Sequence, residues 1–193
     1  MTKRLTAAEL LAQLENDRDF VARREEQDRA VRAKADAMRT EEAPLVCELQ
    51  AAGYDVESVW DFVNTSRSYP DAIPILMSHL SRPYSSPLRE GIARALGTPA
   101  AMGSWDVLIA RYRSERDLRV KDGLAAAIAA IADDSVLDSL VGLVTDAVNG
   151  PSRLFLLRPL AKSRTPEARE ALVALSSDPF FEKEAKFLLR TSK

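Results

Sequence analysis

The string Phe155-Leu156-Leu157-Arg158 returns 32 positions later as Phe187-Leu188-Leu189-Arg190. Working outward in the same step, Leu76 leads to Leu108, Leu140 and Leu172, and Met77 leads to Ile109, Val141 and Val173. Another track joins Ile92, Leu124, Leu156 and Leu188, and a further one joins Leu96, Ile128 and Leu160 before failing at Ser192. Gly91 maps onto Gly123. Several tracks in one register mark a structural repeat, a unit that buries its apolar face only against its neighbours.

Each unit reads as two helices. In the first, Asp71 is the expected N-cap, Ile73, Leu76, Met77 and Leu80 recur at helical spacing, and Pro74 falls in the first turn. After the turn at residues 83–87, Leu88, Ile92 and Leu96 define a second helix ending at Gly97. In the second unit Ser104 is placed to cap a helix carrying Trp105, Leu108, Ile109 and Tyr112, and Asp117 opens its partner with Val120, Leu124, Ile128 and Ile131. The third has Val136, Leu137, Leu140, Val141 and Val144, then a Gly150-Pro151 break, and Pro159 predicts a kink or early end in its second helix. The fourth starts at Pro166, turns at Asp178-Pro179 and finishes with Phe180, Phe181, Phe187, Leu188 and Leu189.

Composition agrees with helices. Among 193 residues are 29 Ala and 24 Leu against 12 aromatic residues and 7 Gly, a balance that disfavours an all-β fold. Lys plus Arg is 27 and Asp plus Glu is 29, so the net charge of −2 does not indicate a strongly basic nucleic-acid binder. A single Cys excludes an internal disulfide framework and points to a reducing compartment. Apolar runs stop well short of the ~20 residues of a membrane span, and Glu9 and Gln13 interrupt what a secretory signal would keep apolar. A cytoplasmic location is expected.

The pattern resembles HEAT repeats, specifically the short bacterial HEAT-like repeats named after phycobilisome lyases. The likeness rests on Ala72-Ile73-Pro74-Ile75-Leu76 with Leu80, on Leu88-Arg89 through Ala95-Leu96-Gly97, and on Asp117 through Val120-Lys121 to Ile128. It covers roughly residues 69–191. The resemblance implies an architecture and, because such repeats mostly serve as binding scaffolds, little about activity. The third unit departs most from the pattern, with Pro159 inside a helix and Asn149-Gly150-Pro151 in place of the usual acidic turn.

The first 68 residues lie outside the register. Leu5, Leu10, Leu11 and Leu14 mark a short amphipathic helix, with Thr6 and Glu9 as a capping box. Residues 17–42 are polar, with Phe20, Val31 and Met38 as a sparse apolar seam. Asp19–Arg23, Glu25–Arg29 and Asp28–Arg32 are acid-before-base pairs worth ~0.2–0.5 kcal/mol each, giving one long helix that is either solvated or covered by a partner helix. Pro44 is expected to break or bend it. Leu45, Val46 and Leu49 lead to a stop at Gly53, and Val56, Val59, Trp60 and Phe62 form another helix with a buried face. Residues 43–68 are read as a cap over the first repeat.

A search for chemistry finds little. Seven scattered glycines contain no phosphate loop. His79 and Cys47 each stand alone, so no metal site is expected. His79 is read as a surface or half-buried residue, and Cys47 as a small core residue rather than a nucleophile. Ser81, Ser85 and Ser86 sit in a turn without a nucleophile elbow, and Asp133-Asp134 reads as a helix-end cap. Trp60 and Trp105 lie at core spacing.

The main polar feature is a column of cations. Arg89, Lys121 and Arg153 are 32 apart, as are Arg158 and Arg190, and Arg94 stands one unit before Ala126. In one reading they meet an anionic partner; in the other they pair with acids and helix-end carbonyls between neighbouring repeats. Residues 1–68 hold 10 basic and 14 acidic residues, and residues 69–193 hold 17 and 15.

The expected fold is therefore all-α: a right-handed α-solenoid of about four HEAT-like helix pairs (69–193), preceded by an N-terminal helical arm (1–42) and a helical cap (43–68). The expected function is a non-enzymatic scaffold or adaptor without cofactor or metal. Arg89, Arg94, Lys121, Arg153, Arg158 and Arg190 would contact an acidic partner protein. The alternative is a nucleic-acid-binding protein of the HEAT-like DNA-repair type, which the near-neutral charge disfavours. A lyase acting on a bilin finds no support in the repeats alone.

Overall fold

A computed structural model describes Thr6 and residues 17–191; the helix expected over Leu5–Leu14 lies outside the described residues. Among those residues every regular element is helical, and no helix is long and apolar enough to cross a membrane. The chain divides into two units, Met1–Ala43 and Pro44–Lys193.

Helix α1 spans Arg18–Ala51. Asp17 caps it, its carboxylate accepting from the amides of Asp19 (3.0 Å) and Phe20 (3.2 Å). Arg23 and Arg29 reach the carbonyls of Asp19 (3.0 Å) and Glu25 (3.4 Å), so these bases bond to the backbone of their acidic partners rather than to the carboxylates. Val31, in the expected seam, is exposed. Pro44 lies inside the helix and does not end it, so the break that was one of its two expected effects is absent. Its cost of ~3 kcal/mol is offset by the complete burial of Leu45 and Leu49 just beyond it, each worth ~1.5–3 kcal/mol. The stop at Gly53 is real: its φ is 91°, and Gly53 N–H bonds to Gln50 (3.0 Å) while Tyr54 N–H bonds back to Leu49 (3.1 Å), a Schellman ending.

The helix expected from Val56 shrinks to one turn, α2 (Trp60–Val63). Asp61 accepts from the amides of Glu57 (2.9 Å) and Ser58 (3.0 Å), which holds the preceding residues in a local loop. Val56, Val59 and Phe62 are nonetheless buried.

The expected helix pairs follow. They are α3 (Ala72–Leu80) with α4 (Ser86–Ala95), and α5 (Trp105–Ser114) with α6 (Leu118–Ile131). Then come α7 (Leu137–Thr145) with a 3₁₀ segment (Ala147–Leu156) running into α8 (Leu157–Lys162), and α9 (Pro166–Leu175) with α10 (Glu182–Thr191). Asp117 caps α6, accepting from Arg119 N–H (2.9 Å) and Val120 N–H (3.2 Å). Asp71 and Ser104 occupy N-cap positions but make no side-chain cap bond. The second helix of the third pair departs from a plain α-helix. Gly150 (φ 68°) turns the chain, the segment stays 3₁₀ to Leu156, and the α-helix begins late enough to put Pro159 in the first turn of α8, where a missing N–H costs little.

Within Pro44–Lys193, α3 packs on α4, α5 on α6, α7 on the 3₁₀ segment and α9 on α10. The second members also touch in chain order: α4 on α6, α6 on the 3₁₀ segment and α8, and α8 on α10. The one-turn helix α2 packs on α4. The repeat tracks are the core: Leu76, Leu108, Leu140 and Leu172 are buried, as are Ile92, Leu124 and Leu156, and Leu96, Ile128 and Leu160. Trp105 is buried among them, and Trp60 packs against them half-buried.

Candidate functional site

The cation column splits into cations used inside the chain and cations left over. Arg89 on α4 pairs with Glu115, which precedes α6. Lys121 is buried, its Nζ 4.9 Å from the centroid of the Tyr112 ring, and burial pushes its ammonium below the ordinary lysine range. Arg153 donates to the carbonyls of Gly150 (2.9 Å) and Val144 (3.1 Å) and lies 4.9 Å from the rings of both Phe180 and Phe181. These three link helices within and between pairs. Arg190 is exposed.

Arg94 and Arg158 meet elsewhere. They line one groove of about 660 Å³ among α4, α6, the 3₁₀ segment, α8 and α10. Its apolar lining is Ala126, Ala129, Ala130, Leu154 and Phe155, and its charged lining adds Asp122, Lys162 and Glu184. Arg158 and Lys162 are exposed and make no ion pair among the described residues. Arg94 donates from Nε to Glu90 at 2.8 Å, and its guanidinium carbon is 5.8 Å from the Phe155 ring centroid.

Two carboxylates near the groove behave differently. Glu90, buried on α4, accepts from Arg94 at 2.8 Å and from Arg119, which projects from the start of α6. Burial alone would raise its carboxyl, but the hydrogen bonds from Arg119 and Arg94 hold it below the usual range. Asp122 on α6 is half-buried and has no hydrogen bond or ion pair among the described residues. Burial pushes its carboxyl up, the Glu90 charge adds to this, and Arg94 only partly offsets it.

A second polar cluster gathers around His79, which is fully buried rather than at the surface. Its Nδ1 is 2.8 Å from the Tyr84 hydroxyl, and the two rings stack at 5.8 Å. Its Nε2 lies 3.1 Å from Glu48 Oε1, outside hydrogen-bond geometry, and Arg82 completes the cluster with a 3.0 Å bond to the same oxygen. Burial depresses the imidazole, against the pull of Glu48, so it is held toward its neutral form. Helical spacing cannot reveal this, because Tyr84 and Glu48 come from other elements. Cys47 is exposed rather than in the core. It falls between Val46 and Leu49 in sequence, but the buried side of α1 there is Leu45 and Leu49, four residues apart.

Ser86 donates to Asp117, and Ser81 accepts from Arg111. Asp133 accepts from Ser135 N–H at 2.9 Å, as a cap. Among the described residues no group of three or more His, Cys, Asp or Glu is placed to hold a metal ion. Sequence reasoning did not single out Asp122, Phe155, Lys162 or Glu184 for the site. The available signal was the register itself, since Asp122 is 32 residues beyond Glu90. Compared with known proteins, the chain matches no family model, no curated protein and no solved structure.

Proposed function

We propose that this chain is a non-enzymatic interaction module, a HEAT-like α-solenoid that binds a segment of a partner protein in the groove lined by the second members of its helix pairs. The observation that carries the reading is the groove itself. It has about 660 Å³ of space, an apolar lining of Leu154, Phe155 and three alanines, and the cations Arg94, Arg158 and Lys162 at one place. Such a surface suits a short segment that buries an apolar residue and presents carboxylates to the cations. The exposed thiol of Cys47 fits a reducing, cytoplasmic setting. In this reading Arg89, Lys121 and Arg153 hold the repeats together, and Arg94 and Arg158 take the contact role together with Lys162.

The test is an NMR titration of the full chain, at low salt, with the peptide acetyl-Glu-Glu-Leu-Glu-Glu-Leu-amide. Saturable shifts at Ala126, Ala129, Phe155 and Lys162 are expected, weakening with salt and lost in the double variant Arg158→Glu, Lys162→Glu. No shifts at low salt, or shifts indifferent to the double variant, would overturn the reading.

A further inference from the structure

The register of the repeat shows what is missing from the groove. Glu90, Arg94 and Arg119 form a clamp in which one carboxylate takes two guanidinium groups, one from its own helix and one from the next pair. Moving each position on by 32 residues gives Asp122, Ala126 and Pro151. The acid is kept and both arginines are gone. All three of these residues line the groove.

The space was opened by a further change in the same register. Gly123 lets α6 approach α4 closely: a Cβ there would stand 2.9 Å from the Glu90 carbonyl oxygen and 3.2 Å from Ala93 Cβ. Its equivalent in the third pair is Phe155, and no side chain of that size fits where a single methyl group already collides. The 3₁₀ segment therefore cannot close on α6 as α6 closes on α4, and Asp122 is left beside a cavity instead of a clamp. Arg94 does not fill the vacancy: it donates from Nε to Glu90 at 2.8 Å and makes no hydrogen bond or ion pair with Asp122.

We infer that the groove takes an arginine side chain from the partner segment, its guanidinium paired with Asp122 and flanked by Phe155. Arginine suits this place better than lysine because its planar fork matches a carboxylate and stacks on an aromatic ring, which is the chemistry the Glu90 clamp already uses. Glu184, which lines the same groove, provides a second carboxylate. Arg94, Arg158 and Lys162 also face the space, so a bare cation is repelled there and the arginine must come with acidic neighbours. The inference rests on the groove being the partner site and specifies what the partner brings to it.

The experiment compares two small probes on the full chain by NMR: N-acetyl-arginine amide and N-acetyl-citrulline amide, which has nearly the same shape without the charge. Saturable shifts at Asp122, Ala126 and Phe155 are expected for the arginine probe, with citrulline weaker by roughly tenfold, the value of a charge-assisted hydrogen bond. Asp122→Asn should reduce the arginine probe to the citrulline level. Ala126→Arg places a guanidinium one turn from Asp122, as Arg94 stands from Glu90, and should abolish the response in a chain that stays folded. Equal response to both probes, no response, or an arginine response that survives either substitution would overturn the inference. If the acidic peptide binds and the arginine preference is absent, the groove reading stands and this inference falls. If the arginine preference is present and the acidic peptide does not bind, the pairing with Asp122 stands and the acidic-segment reading falls.

Discussion

Glu90 accepts a hydrogen bond from Arg94, one turn along the same helix, at 2.8 Å, and the same carboxylate holds Arg119 of the next helix pair. Its register equivalent Asp122 holds neither partner. One position in the repeat thus carries a satisfied acid and an unsatisfied one, and replacing them should have opposite effects. Glu90→Gln is expected to cost about 1–2 kcal/mol, since it weakens a link between α4 and α6 that is partly shielded from solvent. Asp122→Asn is expected to be neutral or to stabilise by up to about 1 kcal/mol, because it removes a half-buried charge that nothing pairs. Urea unfolding of the two variants checks the difference in sign.

The His79 cluster predicts a pH dependence. The folded imidazole titrates below its ordinary value of 6.5 because it is buried. Between that lower value and 6.5 the unfolded chain binds more protons than the folded one, so stability rises with pH across this window. It is complete above 6.5 and is lost as pH falls below it. Glu48, held low first by its bond to Arg82 and then by His79, contributes stability that is lost only below about 4.5, the ordinary glutamate value. Thermal unfolding midpoints should therefore decline in two steps on acidification, and His79→Gln should remove the upper one while leaving the part of the lower one that Arg82 supplies.

Lys121 predicts the reverse end of the scale. Its folded ammonium titrates below the ordinary 10.5 because of burial, so charging it costs the folded state and stability should rise as pH approaches 10.5. Lys121→Met keeps the length over Tyr112 without the charge. Its stability at neutral pH is expected within about 1 kcal/mol of the parent, as lost cation–π attraction offsets lost desolvation. The rise at alkaline pH should be smaller in this variant, which denaturant titrations from pH 8 to 10 would measure.

Two glycines separate space from propensity. Gly123→Ala puts a methyl group 2.9 Å from the Glu90 carbonyl and is expected to cost about 1–3 kcal/mol, more than the gain of at most ~1 kcal/mol in helix propensity. Gly142 on α7 has nothing within 4 Å of an added Cβ, so Gly142→Ala should stabilise by about 0.5–1 kcal/mol. Paired urea midpoints moving in the same direction would contradict this account of why α4 and α6 sit close.

The helix pairs and their core were legible because burial recurs with the repeat: a track of leucines 32 apart marks a face whatever that face meets. The cap of α6 by Asp117 and the stop at Gly53 were legible for a similar reason, since both depend on a few adjacent residues. Pro44, the single-turn α2 and the split third pair were less so. There the local preference competes with burial of Leu45 and Leu49, with the bonds Asp61 makes to Glu57 and Ser58, and with a 3₁₀ segment that spares Pro159.

Sequence alone determined the repeat, the helical class and the list of cations that share a register. Tertiary structure decided which of those cations are spent. Arg89 met Glu115, Lys121 was covered by Tyr112, and Arg153 found two carbonyls, whereas Arg158 met no such partner and faces a groove. The physical reason is that spacing along the chain fixes which residues share a face. The partner of a charge is set largely by the neighbouring helix pair, and beside Asp122 that neighbour carries Pro151 where beside Glu90 it carries Arg119.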